Sequence, residues 1–322
     1  MNLFKEITDM FSRELDSHGR AFVNYQALSQ VEVKDMTIDG FPAKLFFNPA
    51  RVRSVMADVS PEALKKRACF LCPDGLEPLQ LTTVWDSPTG QTYFIRVNPF
   101  PIFNHHFTIS SAIHERQTFA PHMESMLHLA EAMPEMSIFY NGPMCGASAP
   151  DHMHFQAVPR HSMPIEDHFS TNYANAVLVQ EPDLQSHLTA LEKVLSMASI
   201  PENASQTGSL TAGASRTEEW EPRWNIISWY EPESNSPQGG LTASEASGPT
   251  SNSRRRSFNT IVFFRRESRP QIFFAPENER ILFSPGTVEM GGIGVVANRE
   301  SFDRITPEVL RSMIQEVADK IV

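Results

Sequence analysis

The stretch Asp151-His152-Met153-His154-Phe155-Gln156 decides how this chain is interpreted. A turn-rich segment, 140–150, precedes it, and a short apolar run, 137–140, comes before that, so the order predicts a strand, a tight loop and a second strand. Because side chains alternate along a strand, the two histidines and the glutamine are expected on one face. Met153, Phe155 and Ala157 are expected on the other face, in a core. Two imidazoles and an amide in a row indicate a site. The alternative is a pair of polar residues on a half-exposed strand.

The loop that leads into this stretch contains Gly146-Ala147-Ser148. Small residues of this kind let main-chain N–H groups approach an anion closely. The loop and the polar face of the strand together therefore favour a site that binds a phosphate or a similar anion.

Gly146-Ala147-Ser148 followed by His152-x-His154-x-Gln156 resembles the active-site segment of the histidine-triad superfamily. The branch that it is similar to carries Gln in place of the third His. This branch includes galactose-1-phosphate uridylyltransferase, the diadenosine tetraphosphate phosphorylases, the GDP-hexose phosphorylases and a group of unknown function. The chain departs from the uridylyltransferases in two places: Met153 stands where they have Pro, and the loop from Ser148 to His152 is one residue longer.

Composition excludes several classes of protein. The net charge of −11 over 322 residues argues against a nucleic-acid-binding surface, which needs clustered Lys and Arg. No apolar run reaches the length of a membrane span, and residues 1–16 lack the cationic start and apolar segment of a secretory signal. We therefore expect a cytoplasmic protein that binds neither nucleic acid nor membrane.

A second motif is the C-x-x-C of Cys69 and Cys72, which is either redox-active or metal-binding in a reducing compartment. The turn at 73–75 argues against a thioredoxin-type motif, and two buried free cysteines are the remaining alternative. The resemblance to uridylyltransferases implies a structural zinc ion whose other ligands are His114 and His152. We take His114 over His105 because it follows a predicted strand. No organic cofactor is expected.

Three further residues are predicted to bind substrate. Asn98-Pro99-Phe100-Pro101 resembles the Asn-x-Phe-Pro turn that holds the nucleoside in uridylyltransferases. There Asn98 would bond ribose hydroxyls and Phe100 would stack on the base, although Asn and Pro also favour a plain turn. Arg51 lies near a strand end, where it would meet phosphate oxygens or, alternatively, solvent.

The order of elements predicts an α+β fold. The resemblance implies two histidine-triad-like halves around an antiparallel sheet with flanking helices. Residues 1–170 would form the half that carries the motif, and 171–219 a helix and linker. Residues 220–322 would form a degenerate half, with 231–257 as a disordered loop. The local pattern also predicts a helix over 117–133 and short strands at 271–275 and 281–284.

These observations predict a nucleotidyltransferase or phosphorylase acting on a nucleoside diphosphate sugar or a dinucleoside polyphosphate. His154 would form a covalent nucleotidyl intermediate and Gln156 would donate a hydrogen bond to the phosphoryl oxygens. The Gly146 main chain and Ser148 would bind the departing phosphate, and the acceptor would be a phosphate-type group. The alternatives are a hydrolase with the same nucleophile and a non-catalytic nucleotide-binding protein. Members of the branch are often homodimers.

Overall fold

The computed structural model describes residues 2–52, 59–76, 79–198, 221–233 and 255–319. Within these ranges the α-helices are α1 (Leu3–Asp16), α2 (Arg20–Ala27), α3 (Pro61–Lys66), α4 (Met123–Ala132), α5 (Thr171–Ala174), α6 (Leu184–Leu195), α7 (Thr287–Met290), α8 (Arg299–Arg304) and α9 (Pro307–Val317). The strands are β1 (Glu32–Ile38), β2 (Phe41–Phe47), β3 (Thr83–Asp86), β4 (Thr92–Val97), β5 (Phe107–Ser111), β6 (Met136–Asn141), β7 (His154–Pro159), β8 (Ala176–Glu181), β9 (Trp224–Glu231), β10 (Ser257–Phe264) and β11 (Ile293–Val296).

Two sheets organise the fold. The larger has eight strands in the order β3-β4-β5-β7-β6-β9-β10-β8, and every neighbouring pair in it is antiparallel. The smaller has the order β1-β2-β11, with β11 parallel to β2. The α+β fold with a large antiparallel sheet and flanking helices is thus confirmed, and the structure adds a small mixed sheet built on the hairpin of β1 and β2.

The large sheet is covered by a core on each face. One core contains Met153, Phe155 and Ala157, together with apolar residues of α1, α4 and α6. The other core contains Phe139 and Val158, together with residues of the small sheet and α9. The predicted alternation along β7 is therefore confirmed: its apolar residues enter the first core, and the polar residues between them face the opposite side of the sheet.

The hairpin of β1 and β2 shows how turn chemistry fixes a register. Asp39 and Gly40 both have positive φ, at 50° and 84°, and connect the strands in two residues. Ile38 pairs directly with Phe41, as a two-residue turn of this kind requires. Asp-Gly is a sequence that favours a turn of this kind.

Several sequence-based element predictions were wrong. Residues 271–274 form a 3₁₀-helix and 281–284 have no regular structure, where two short strands were expected. The helix expected over 117–133 is present but begins later, with a 3₁₀-turn at 120–122 that leads into α4. The segment 171–219 also contributes a strand, β8, which pairs with β10 at one edge of the large sheet. The apolar runs at 271–284 were locally strand-like, but no strand in the described part of the chain pairs with them.

The division into halves at about residues 170 and 220 stays a prediction. Most of the expected linker, 199–219, and most of the expected loop, 234–254, lie outside the described residues. The two ends of that loop belong to β9 and β10 instead. Among the helices in the described part of the chain, none is long and apolar enough to cross a membrane.

Candidate functional site

The polar face of β7 lies at the centre of the large sheet. β7 begins at His154, and His152 lies two residues earlier, in a bend. Ser110 of β5 pairs with His154, and Phe139 of β6 pairs with Gln156. Both histidines are buried and Gln156 is half-buried. The three predicted polar residues therefore lie near the middle of the sheet, and a hydrogen-bonded strand lies on either side of β7.

His154 is held in one tautomer. Its Nδ1 lies 2.8 Å from the main-chain oxygen of His152. A carbonyl oxygen only accepts, so Nδ1 carries the proton and Nε2 of the neutral ring carries a lone pair. Burial lowers the pKa of His154 to about 4, which keeps the ring neutral at pH 7. Among the described residues, nothing hydrogen-bonds to Nε2, so this nitrogen is available as a nucleophile.

Gln156 is oriented by His106. The main-chain N–H of Ile102 donates to Nδ1 of His106 at 3.2 Å, so the proton of that ring lies on Nε2. Nε2 then donates to Oε1 of Gln156 at 2.8 Å, and Nδ2 of Asn98 approaches the same oxygen at 3.4 Å. Because the carbonyl end of the Gln156 amide is occupied, its NH₂ group is left to donate toward a substrate. Burial lowers the pKa of His106 to about 3, so this arrangement holds at neutral pH.

A second group of side chains lies beside His154 and Gln156. It is a cluster of Cys69, Cys72, His114 and His152. Their ligand atoms all lie within 4.8 Å of one another, and Sγ of Cys69 is 3.2 Å from Nδ1 of His152. Nε2 of His152 donates to the main-chain oxygen of Ser111 at 2.9 Å, which leaves the lone pair of Nδ1 facing the sulfurs. The four residues could hold one metal ion, and two thiolates with two imidazoles are compatible with zinc.

The structure also shows which of the two candidate histidines, His105 and His114, belongs to this cluster. His114 contributes Nδ1 to the cluster, 3.3 Å from Sγ of Cys72. His105 instead stacks on Phe11 of α1, with ring centroids 4.3 Å apart. His105 therefore packs against a helix and takes no part in the cluster.

The loop before β7 alternates between buried and exposed residues. Cys145, Ala147 and Ala149 are buried, whereas Gly146 and Ser148 are exposed. Gly146 has φ +94°, and a Cβ there would lie 2.7 Å from the Cα of Gly286. The C-terminal part of the chain thus packs directly against this loop, and only glycine fits at position 146.

The other predicted substrate-binding residues lie around His106 and Gln156. Oδ1 of Asn98 accepts from the N–H of Phe100 at 2.9 Å, while its amide nitrogen faces Gln156. Arg51 donates to the main-chain oxygen of Phe100, and its charge contributes to the lowered pKa of His106. The Phe100 ring lies 6.0 Å from the guanidinium of Arg20 in α2. Their substrate-binding roles stay predictions.

Sequence reasoning missed two residues that hold this site together. His106 could not be assigned to the site from the sequence, because its contact with Gln156 depends on the pairing of β5 with β7. Gln117 was assigned only to the start of a helix, but its buried side chain hydrogen-bonds to the main chain of His154. The only sequence signal for either was a polar residue close to an apolar strand or helix.

Comparisons with known proteins find a matching family and a similar fold. Residues 10–159, which include both clusters, match the family described as a domain of unknown function, DUF4922. No curated protein sequence matches the chain. The crystal structure of yeast Ap4A phosphorylase Apa2 is similar with a TM-score of 0.58 and 13% identity, covering 99% of this chain and 98% of that chain. The same yeast enzyme in complex with AMP gives a TM-score of 0.55 at 13% identity, with 98% and 96% covered.

The chain therefore has the fold of an Ap4A phosphorylase over nearly its whole length. The fold that the resemblance implied is thus confirmed, and the match over residues 10–159 agrees with the expected similarity to a group of unknown function. At 13% identity the similarity shows the fold, and the activity has to be argued from the site.

The contact at Gly146 gives a testable prediction. Gly146→Ala is expected to lower the stability of the protein by about 1–3 kcal/mol more than Gly90→Ala, because the new methyl group overlaps the backbone of Gly286. Gly90 is a matched control: it has φ +88°, but no atom lies within 4 Å of a Cβ there. Urea unfolding of the two variants measures the difference, and equal losses would show that the loop does not pack on Gly286.

Proposed function

We propose that this protein is a nucleotidyltransferase that works through a covalent nucleotidyl-histidine intermediate on His154. The observation that carries this proposal is the fixed tautomer of His154, whose Nδ1–H is bound to the oxygen of His152 and whose Nε2 is left with its lone pair. Gln156 lies two residues further along the same face, with its carbonyl occupied by His106. A nucleophile and an oriented hydrogen-bond donor are thus side by side.

The first step forms a bond from Nε2 of His154 to the α-phosphorus of the substrate. The bond from phosphorus to the bridging oxygen breaks, and the departing phosphate-bearing group takes the electron pair. The NH₂ group of Gln156 donates to the phosphoryl oxygens as negative charge develops on them. The main chain of Gly146 and the hydroxyl of Ser148 would bind the departing phosphate, since both are exposed in the loop before β7.

In the second step an acceptor oxygen attacks the same phosphorus and the bond to Nε2 breaks. Inorganic phosphate as acceptor makes the enzyme a phosphorylase, and a sugar phosphate makes it a transferase. The amide of Gln156 does not titrate, and burial lowers the pKa of His106 behind it to about 3. At pH 7 neither residue can therefore act as the acid-base group that would assist attack by water. This favours an intermediate that persists until an acceptor binds, and not one that water hydrolyses rapidly.

The proposed donor is a dinucleoside polyphosphate or a nucleoside diphosphate sugar. Support for the first comes from the similar yeast phosphorylase, which has also been solved in complex with Ap4A, at a TM-score of 0.50, 13% identity and coverage of 95% of this chain and 96% of that chain. Asn98 and Phe100 would contact the nucleoside and Arg51 a phosphate, because all three lie around the oriented pair of His106 and Gln156.

Intact-protein mass spectrometry tests the proposal. Wild type is incubated without acceptor with ADP-glucose, GDP-glucose, UDP-glucose or diadenosine tetraphosphate, and the reaction is quenched under alkaline conditions that preserve phosphoramidates. We expect a nucleoside monophosphate adduct on the wild type and none on His154→Ala. His128→Ala serves as the control, since His128 lies on α4 and contacts Glu124 and Glu131 on its surface.

The possible outcomes separate the alternatives. An adduct that forms on the wild type and on His128→Ala but not on His154→Ala assigns the nucleophile to His154. The mass of the adduct identifies the base. An adduct that persists on His154→Ala contradicts the proposal. Hydrolysis of the donor in water without any adduct favours a hydrolase. Nucleotide binding with no turnover at all favours a non-catalytic binding protein.

We further propose that Cys69, Cys72, His114 and His152 bind a structural zinc ion. Two thiolates and two neutral imidazoles suit tetrahedral zinc, and four protein ligands leave no open position for a substrate or water. A zinc ion there would hold His152 against the Cys69–Cys72 turn. His152 in turn provides the carbonyl that fixes the tautomer of His154. The ion would thereby support the nucleophile without taking part in the reaction.

The purified protein is expected to contain one zinc ion per chain. Cys69→Ser and His114→Ala should each lose most of it, because a site with three ligands binds zinc far more weakly. Cys145→Ser should keep it, since Cys145 is fully buried outside the cluster. Elemental analysis measures the metal, and the absorption spectrum of the cobalt-substituted protein reports tetrahedral geometry. Equal zinc content in all variants would contradict the site.

A further inference from the structure

The large sheet divides at the level of His154. β6 and β7 are paired from Met136–Pro159 as far as Phe139–Gln156. Beyond that point β7 stays with β5, through Ser110 and His154, while β6 stays with β9, through Asn141 and Asn225. The two central strands therefore separate where the loop 142–151 leaves the sheet, and the predicted nucleophile lies at the opening.

The side chain of Gln117 fills this opening. Its Oε1 accepts from the main-chain N–H of His154 at 2.8 Å. Its Nε2 donates to the oxygen of Asn141 at 2.9 Å and to the oxygen of His154 at 3.0 Å. Gln117 is only 2% exposed, and its own main-chain N–H donates to the oxygen of Pro150 at 3.1 Å. One residue thus holds both ends of the loop.

This pattern of donors and acceptors requires an amide. Two of the three partners of the side chain are carbonyl oxygens and the third is an N–H group. A carboxylate would meet the two carbonyl oxygens without hydrogens, and an apolar side chain would leave the N–H of His154 and the oxygen of Asn141 unpaired. The amide therefore acts as a substitute for the missing peptide group of a neighbouring strand.

We infer that Gln117 is a positioning residue for nucleotidyl transfer, which rests on the proposed function of His154. Asn141 is the last residue before the phosphate-binding loop, and His154 is the first residue of β7. By bridging them, Gln117 fixes the distance between the loop that binds the departing phosphate and the nitrogen that attacks the phosphorus. A misplacement of about 1 Å between reacting groups can cost roughly 100-fold in rate.

The test compares Gln117→Glu, which keeps the shape of the side chain, with Gln180→Glu. Gln180 is a matched control on the edge strand β8, where its amide donates to Asn259 at 2.6 Å. For Gln117→Glu we expect kcat to fall about 10- to 100-fold while KM changes less than about threefold, because positioning affects the reacting atoms more than binding. Gln180→Glu should match the wild type, and thermal unfolding measures whether the fold is kept.

If kcat of Gln117→Glu stays within about twofold of the wild type, the inference is overturned. Gln117→Met, also similar in shape, replaces it if the Glu variant fails to fold. If neither folds, Gln117 serves folding alone and the inference is equally overturned.

If the wild type forms no nucleotide adduct, the proposed function fails separately. The role of Gln117 is then decided by the rate at which diethyl pyrocarbonate modifies His154 relative to His128. A change in that ratio supports positioning, and an unchanged ratio contradicts it.

Discussion

The hydrogen bond from Nδ1 of His154 to the oxygen of His152 is the interaction on which the site depends. It decides which ring nitrogen carries the proton, and hence that the lone pair lies on Nε2. Burial alone would make the ring neutral but would leave the tautomer open. Because the acceptor is a main-chain oxygen only two residues away, the tautomer is fixed by the backbone directly before β7.

Three further sets of contacts hold His152, His154 and Gln156 in place. Contacts with Cys69 and Ser111 hold His152, which supplies the carbonyl. Gln117 fixes the main chain of His154 itself. His106, made neutral by burial, turns the amide of Gln156 so that its donors face outward. The supports from Gln117 and His106 are neutral hydrogen bonds, so this part of the site is set before any substrate arrives.

The sequence alone predicted the parts of the site that are local. Alternation along a strand placed His154 and Gln156 together, and family resemblance supplied His114 as a member of the metal-ligand cluster. The roles of His106 and Gln117 could not be predicted, because they depend on strand pairing and on where β6 and β7 separate. The same limit explains the wrong strands at 271–284: an apolar run predicts a strand only if a neighbour pairs with it. Strand β8, in turn, pairs with a segment some 80 residues further along the chain.

The most direct test of this account is a measurement of the histidine tautomers by long-range proton–nitrogen NMR correlation on the free protein at pH 7. The account predicts that His154 is neutral with its proton on Nδ1, and that His106 is neutral with its proton on Nε2. Variants His154→Ala and His106→Ala assign the two sets of signals. A proton on Nε2 of His154 would contradict the account, because the nitrogen proposed to attack phosphorus would then have no lone pair to offer.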